Sequence, residues 1–182
     1  MSQPLPDRAR VVIIGGGIIG ASVAYHLTRL GWTDVVVLER DTVGAGMTGK
    51  SSGIVRCHYG VASLAAMATQ ALEFFEEHGA EIGFRQAGYV VGVGPENVEA
   101  LRKSMAAQRA VGVRTEDIDR AEVAEMLPAA DLSPFAAFAW EERGGYGDAY
   151  QTAQKFAALA RAAGWDVTRT PLPRDLAVAH RA

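Results

Sequence analysis

VVIIGGGIIGASVAYHLTRLGWTDVVVLE, residues 11–39, reads as a strand, a glycine turn, a helix and a second strand. Val11-Val12-Ile13-Ile14 is a continuous apolar run ending in glycine, the pattern of a strand buried on both faces of a parallel sheet. Ile19, Val23, Leu27 and Leu30 recur at helical spacing and predict a helix from about Gly17 to Leu30, which Gly31 ends. Val35-Val36-Val37-Leu38, closed by Glu39, is a second buried strand. The unit is a βαβ.

Each glycine of Gly15-x-Gly17-x-x-Gly20 has a mechanical reason. Gly15 makes the tight turn out of the strand, Gly17 admits a pyrophosphate to the backbone, and Gly20 lets the helix pack close to the sheet. The helix start, at Ile18 and Ile19, then presents free N–H groups to phosphate. With 20 glycines in 182 residues the triplet alone is a weak signal. The flanking strands, Ala24, Gly31 and the carboxylate of Glu39 strengthen it. Glu39 sits where it can accept hydrogen bonds from adenosine ribose hydroxyls, and an acid there disfavours a 2′-phosphate. The implied ligand is a dinucleotide held by its ADP half.

Working outward, residues 41–61 are rich in Gly, Ser and Thr, and a connection of that length is usually functional. Helices are predicted over Ala62 to His78, Glu96 to Val111, Asp119 to Leu127 and Tyr150 to Ala163, and strands over Phe84 to Val93 and Phe135 to Trp140. Gly164 is expected to cap the last helix, and Trp165-Asp166-Val167 to begin a strand. Beyond Thr170 no strand pattern is clear.

At 49% hydrophobic and 21% charged, the composition is that of a globular chain. The net charge of −3 and the lack of a long basic run argue against nucleic acid or an anionic membrane as partner. The apolar stretch near the N-terminus is broken by Gly15-Gly16-Gly17 and is shorter than a membrane span. Cys57 is the single cysteine, which excludes an intrachain disulfide and fits a reducing, cytoplasmic location. The four histidines lie far apart without metal-ligand spacing, so no metal is expected. No GxSxG elbow or Cys/His pair appears, and no catalytic residue is assigned.

VVIIGGGIIGASVAYHLTRLGWTDVVVLER resembles the FAD-binding start of flavoprotein amine and amino-acid oxidoreductases. GAGMTGKSSGIVRCHYG, residues 44–60, narrows the likeness to the D-amino-acid oxidase superfamily, on the branch of beta-subunit-type sarcosine oxidase and dimethylglycine dehydrogenase. GGYGDAYQTAQKFAALARAAGW resembles the return of that family's chain to its FAD domain, with weaker similarity in QAGYVVGV and DRAEVAEMLP.

The resemblance implies an α/β fold: a Rossmann-like, glutathione-reductase-type FAD-binding βαβ with the beginning of an α+β substrate domain, incomplete at its C-terminal end. It implies a first part of the FAD-binding domain over 1–80, a substrate-domain segment over 81–140 and a truncated return over 141–182. Family members are longer, and TPLPRDLAVAHRA fits neither the expected strand nor its adenine-contacting valine, so the chain is expected to be an N-terminal fragment, poorly soluble alone or in need of a partner.

By the same resemblance Gly15, Gly17, Gly20, Glu39 and Arg40 belong to the ADP site, and Thr48, Ser51 and Ser52 lie along the pyrophosphate and flavin. Arg56 matches the arginine that binds the substrate carboxylate, where a guanidinium can grip bidentately, and Tyr59 matches a position near the substrate. Lys50 stands where some members carry a flavin-bonded histidine, so non-covalent FAD is implied. Without the likeness His58 and Cys57 are packing residues. The expected activity is oxidation of the C–N bond of a secondary or tertiary amino acid, sarcosine-like, by hydride transfer to flavin. Oxygen or an electron-carrier protein would be the acceptor, and other subunits are admitted as partners. The alternatives are a non-catalytic FAD- or dinucleotide-binding piece needing a partner chain and, disfavoured by the 41–61 loop, an NAD enzyme.

Overall fold

In the computed structural model, residues 8–32, 34–163 and the backbone of 166–169 are described. The chain divides into two compact units, residues 1–52 with 148–182, and residues 53–147.

The first unit is built on a parallel sheet of β1 (Val11–Ile14), β2 (Val35–Glu39) and β8 (Asp166–Arg169), in the order β1-β2-β8. β1 and β2 pair from Val11↔Val35 to Ile14↔Leu38, and β2 and β8 from Val36↔Asp166 to Glu39↔Arg169. Helices α1 (Ile18–Arg29) and α5 (Ala149–Ala162) cover one face, where Ala24 and Ala160 are buried against Val35 and Val37 with Val11 and Ile13 beside them. Small residues at 24 and 160 bring the helices close, and the Tyr25 and Phe156 rings meet at 5.4 Å. On the opposite face Val12 and Ile14 are 53% and 60% exposed.

The helix ends follow their sequence signals. At the end of α1 Gly31 adopts φ +80°, its N–H bonds the Thr28 carbonyl, and the Trp32 N–H bonds that of Leu27. Those are the two bonds of a Schellman cap. Asp148 caps α5 by accepting from the Gln151 N–H at 2.9 Å. The expected Gly164 cap and the segment beyond Thr170 lie outside the described residues.

The second unit holds an antiparallel sheet in the order β4 (Tyr89–Val93), β6 (Ala137–Glu141), β5 (Thr115–Ile118). Helix α3 (Val98–Ala110) lays Leu101 and Met105 on Ala139, with Val91, Val93 and Ala137 around them. Helix α2 (Ala62–His78) buries Ala65 and Leu72 against Cys57 and Val113. Short strands β3 (Ile54–Val55) and β7 (Gly145–Tyr146) pair antiparallel, and helix α4 (Arg120–Met126) opens on a capping box between Asp119 and Glu122.

Several elements differ from the sequence-based expectation: β1, expected to be buried on both faces, leaves Val12 and Ile14 exposed, and the short strands β3 and β7 are not among those expected. The strand expected over Phe84 to Val93 starts only at Tyr89, because Gly83 and Gly88 take positive φ and turn the chain before it. The strand expected over Phe135 to Trp140 begins later and extends to Glu141. Thr115–Ile118, with one apolar residue and no clear pattern, is a strand because β6 supplies its ladder.

Candidate functional site

In the first unit the glycine turn, the end of β2 and the following loop enclose a cavity of about 390 Å³. Gly15, Gly17, Glu39, Arg40 and Thr48 line it together with Met47 and five others, which brings five of the sequence-assigned cofactor residues to one place. Gly15 has φ +98° and open space where a Cβ would sit, while a Cβ on Gly17 would meet only the Thr48 hydroxyl at 3.1 Å. The turn is therefore a bare backbone surface that a phosphate can approach.

Gly20 does not line the cavity; it sets it. A Cβ there would lie 1.9 Å from the Gly15 carbonyl oxygen, so only glycine lets α1 start this close to β1. Thr48, on a single 3-10 turn at Thr48–Lys50, accepts from the Ile18 N–H at 3.0 Å. The loop thus caps α1, which has no acidic residue in its first turn, and leaves the Thr48 O–H proton available to a phosphate oxygen. The expectation that Ile18 offers a free N–H meets this bond. Ile19 is 77% exposed, and Ser51 and Ser52 are exposed outside the cavity lining.

Glu39 is fixed before any ligand arrives. Its Oε2 accepts from the Gly16 N–H at 2.7 Å and its Oε1 from the Asp41 N–H at 2.8 Å. Each carboxylate oxygen keeps a further lone pair for a ribose hydroxyl. Gly16 has no assigned role in the spacing of the glycine motif. A Cβ there would stand 3.1 Å from that of Glu39, so the middle glycine of the GGG run makes room for this clamp. A second cavity of about 310 Å³ adjoins Glu39, lined by Asp41, Thr42, Val43, Tyr150, Gln154 and Arg161. The loop is held against α5 by the Gln154 side chain, which donates to the Val43 carbonyl at 2.6 Å.

Unit two carries Arg56 and Tyr59. The half-buried Arg56 guanidinium lies 4.8 Å from the Tyr59 ring centroid and 5.5 Å from that of Tyr89, and its Nη1 donates to the His58 carbonyl at 2.6 Å. Burial, and then the charge of Arg56, hold the His58 imidazole below the usual histidine range. The Cys57 N–H donates to Glu141 Oε1 at 2.6 Å. Burial raises the Glu141 carboxyl above its ordinary range, opposed by the bond from Cys57.

Cys57 is 2% exposed, and burial followed by the Glu141 charge pushes its thiol up to about 11. The thiolate is the nucleophile, so at pH 8 only about one molecule in a thousand is reactive. Native protein should react with Ellman's reagent at least about 10²-fold more slowly than denatured protein. Complete modification of native protein within minutes would contradict this.

The residues around the cavity fit an FAD pyrophosphate and ribose: bare glycine backbone and a hydroxyl for phosphate, a fixed carboxylate for the diol. A cavity of this volume falls in the usual range for nucleotide-sized ligands. Among the described residues no helix is long and apolar enough to cross a membrane, and no cluster of three His, Cys, Asp or Glu could hold a metal ion.

Comparison with known proteins agrees with this chemistry. The chain is 34% identical over 141 residues to 4-methylaminobutanoate oxidase (formaldehyde-forming) of Paenarthrobacter nicotinovorans, covering 74% of this chain and 17% of that protein. It is 30% identical over 172 residues to the mitochondrial dimethylglycine dehydrogenase of Rattus norvegicus, covering 90% of this chain and 20% of the relative. Among solved structures, L-proline dehydrogenase from P. horikoshii matches with a TM-score of 0.84 and 26% identity, over 93% of this chain and 46% of that one. The chain therefore spans about a fifth of the length of these curated relatives and under half of the solved chain. The glycine turn, the Glu39 clamp and the Thr48 loop lie inside the match to the FAD dependent oxidoreductase family, which takes in residues 10–171, and the chain belongs to that family.

Proposed function

We propose that this chain is the flavin-holding portion of an oxidoreductase that oxidises the C–N bond of a secondary or tertiary amino acid of the sarcosine type. The observation that carries the reading is the likeness, over most of this chain, to relatives named for N-methylated amino acids. FAD, when bound, supplies the hydride acceptor. The chain's own residues bind and orient. Glu39 accepts from the ribose hydroxyls, and the Gly15–Gly17 turn and the Thr48 hydroxyl take the pyrophosphate, with Arg40, Ser51 and Ser52 assigned to the same cofactor. Arg56 grips the substrate carboxylate, with Tyr59 beside it, so that the amine end is presented in one orientation. The partition into a FAD part over 1–80, a substrate segment over 81–140 and a return over 141–182 goes with this reading. So do oxygen or a carrier protein as electron acceptor, further subunits and a cytoplasmic location.

The test is reconstitution with FAD and anaerobic addition of sarcosine or N,N-dimethylglycine. The flavin is expected to bleach, and acid precipitation to release it from the protein, since Lys50 and buried Cys57 offer no attachment. Retained flavin that no such amine bleaches would remove the activity and leave a non-catalytic FAD-binding chain.

A further inference from the structure

Glu141, Tyr89 and Gln108 of the second unit converge on the short segment that carries Arg56. Tyr89 and Glu141 are directly opposite each other on β4 and β6, and Thr115 faces Glu141 from β5, so all three share one rung and one face of the sheet. That face is apolar further along, where Val91, Val93, Ala137 and Ala139 meet α3. At this rung it turns polar: Glu141 is 2% exposed. A carboxylate taken so far out of water needs a dedicated partner. Glu141 spends its Oε1 on the backbone N–H of Cys57, the residue after Arg56. Tyr89 lays its ring against the Arg56 guanidinium. One turn beyond Met105 on α3, the fully buried Gln108 donates from Nε2 to the Tyr59 carbonyl at 3.2 Å. The segment 56–59 is thus pinned at Cys57 and at Tyr59 by side chains that have no other exit to solvent.

We propose that Glu141, with Tyr89 beside it on the same rung, is a positioning residue for Arg56. The inference rests on Arg56 gripping the substrate carboxylate. Glu141 fixes the backbone one residue beyond Arg56, and Tyr89 together with Tyr59 fixes the guanidinium plane, so the fork meets a carboxylate without first losing side-chain freedom. The acceptor oxygen does this work, so glutamine at 141 preserves it and leucine removes it.

The test is affinity of the full, FAD-loaded chain for N,N-dimethylglycine relative to N,N-dimethylglycinamide, which lacks the carboxylate. Glu141→Leu is expected to lower that preference about tenfold, the size of one lost hydrogen bond, and Glu141→Gln to restore it. Arg56→Ala is expected to abolish the preference, and the Glu141→Leu, Arg56→Ala double variant to lose nothing more. A purely structural Glu141 would weaken both ligands alike and leave their ratio unchanged, which overturns the proposal. If Glu141→Leu fails to fold, Tyr89→Leu keeps the Cys57 bond and should still cut the preference several-fold; an unchanged ratio there overturns the platform. A preference that survives Arg56→Ala, or is missing from the parent chain, overturns the carboxylate reading itself. Loss with Arg56→Ala but not with Glu141→Leu spares that reading and sinks only the role of Glu141.

Discussion

A Gly20→Ala chain is expected to leave a gel-filtration column colourless, its FAD affinity reduced at least about 10²-fold, where the parent keeps its flavin. The added methyl would sit 1.9 Å from the Gly15 carbonyl oxygen, 3.1 Å from its carbon and 3.3 Å from Ile13 Cγ2. The obstacle is backbone, so no rotamer change relieves it. Gly15 cannot retreat either, because its N–H bonds the Leu38 carbonyl at 2.8 Å and ties the turn to β2. The start of α1 must move outward instead, by about 1 Å or more to regain an ordinary contact. That shift breaks the Thr48–Ile18 bond and moves the helix N-terminus from the phosphate position. The fold should survive with a loss of about 1–3 kcal/mol, the usual cost of overpacking. Gly31→Ala is the matching control. It too replaces a glycine of positive φ or tight packing, but nothing lies within 4 Å of its Cβ position, so it should cost about 1–2 kcal/mol of stability and keep the flavin. Equal flavin content in Gly20→Ala and the parent would refute the account of the turn.

Gly53→Ala should lower the melting temperature by about 10 °C and, with Arg56 in its proposed role, weaken carboxylate binding with it. Gly53 has φ +67°, and a Cβ there would stand 1.9 Å from the Gly147 carbonyl oxygen. The backbone strain costs about 1–2 kcal/mol and the contact about 1–3 kcal/mol more. What gives way is the bond from the Gly147 N–H to the Gly53 carbonyl at 2.9 Å, and after it the pairing of Ile54 with Tyr146 and Val55 with Gly145. Arg56 follows directly. The same spot is crowded from a third side, since a Cβ on Gly145 would lie 2.0 Å from the Arg85 carbonyl oxygen. Calorimetry and dimethylglycine titration read both effects; a parental melting temperature would show that the strands are not tightly coupled there.

The nucleotide turn was legible because its physics is local. Strand, turn and helix each carry their own period, and the glycines mark where backbone meets backbone. The Arg56 surroundings were not legible, because they are made across a sheet. Tyr89 and Glu141 are far apart in sequence and become neighbours only through the β4–β6 register. One signal was present: in Ala137-Phe138-Ala139-Trp140-Glu141 the inward positions run Ala, Ala, Glu, and a charge at an inward position of a strand asks for a buried partner. Strand β5 had little signal, since Ile118 is the one apolar residue of TEDI and its conformation comes from β6. Gly16 was hidden for the opposite reason, lying inside a motif whose spacing assigns it no role although it makes room for Glu39.

The bonded pair of Gly53 and Gly147 closes residues 53–147 into a loop whose two ends meet. For the gene this makes the segment a cassette. It can be cut out at Ser52 and Asp148 and the gap bridged by a short turn, or exchanged for a cassette of different length whose ends also meet. Closure entropy tolerates such exchange, since doubling the length of a flexible insertion adds only about 0.6 kcal/mol. On the proposed function, trading the cassette would change which amine is recognised and leave the nucleotide-turn residues in place.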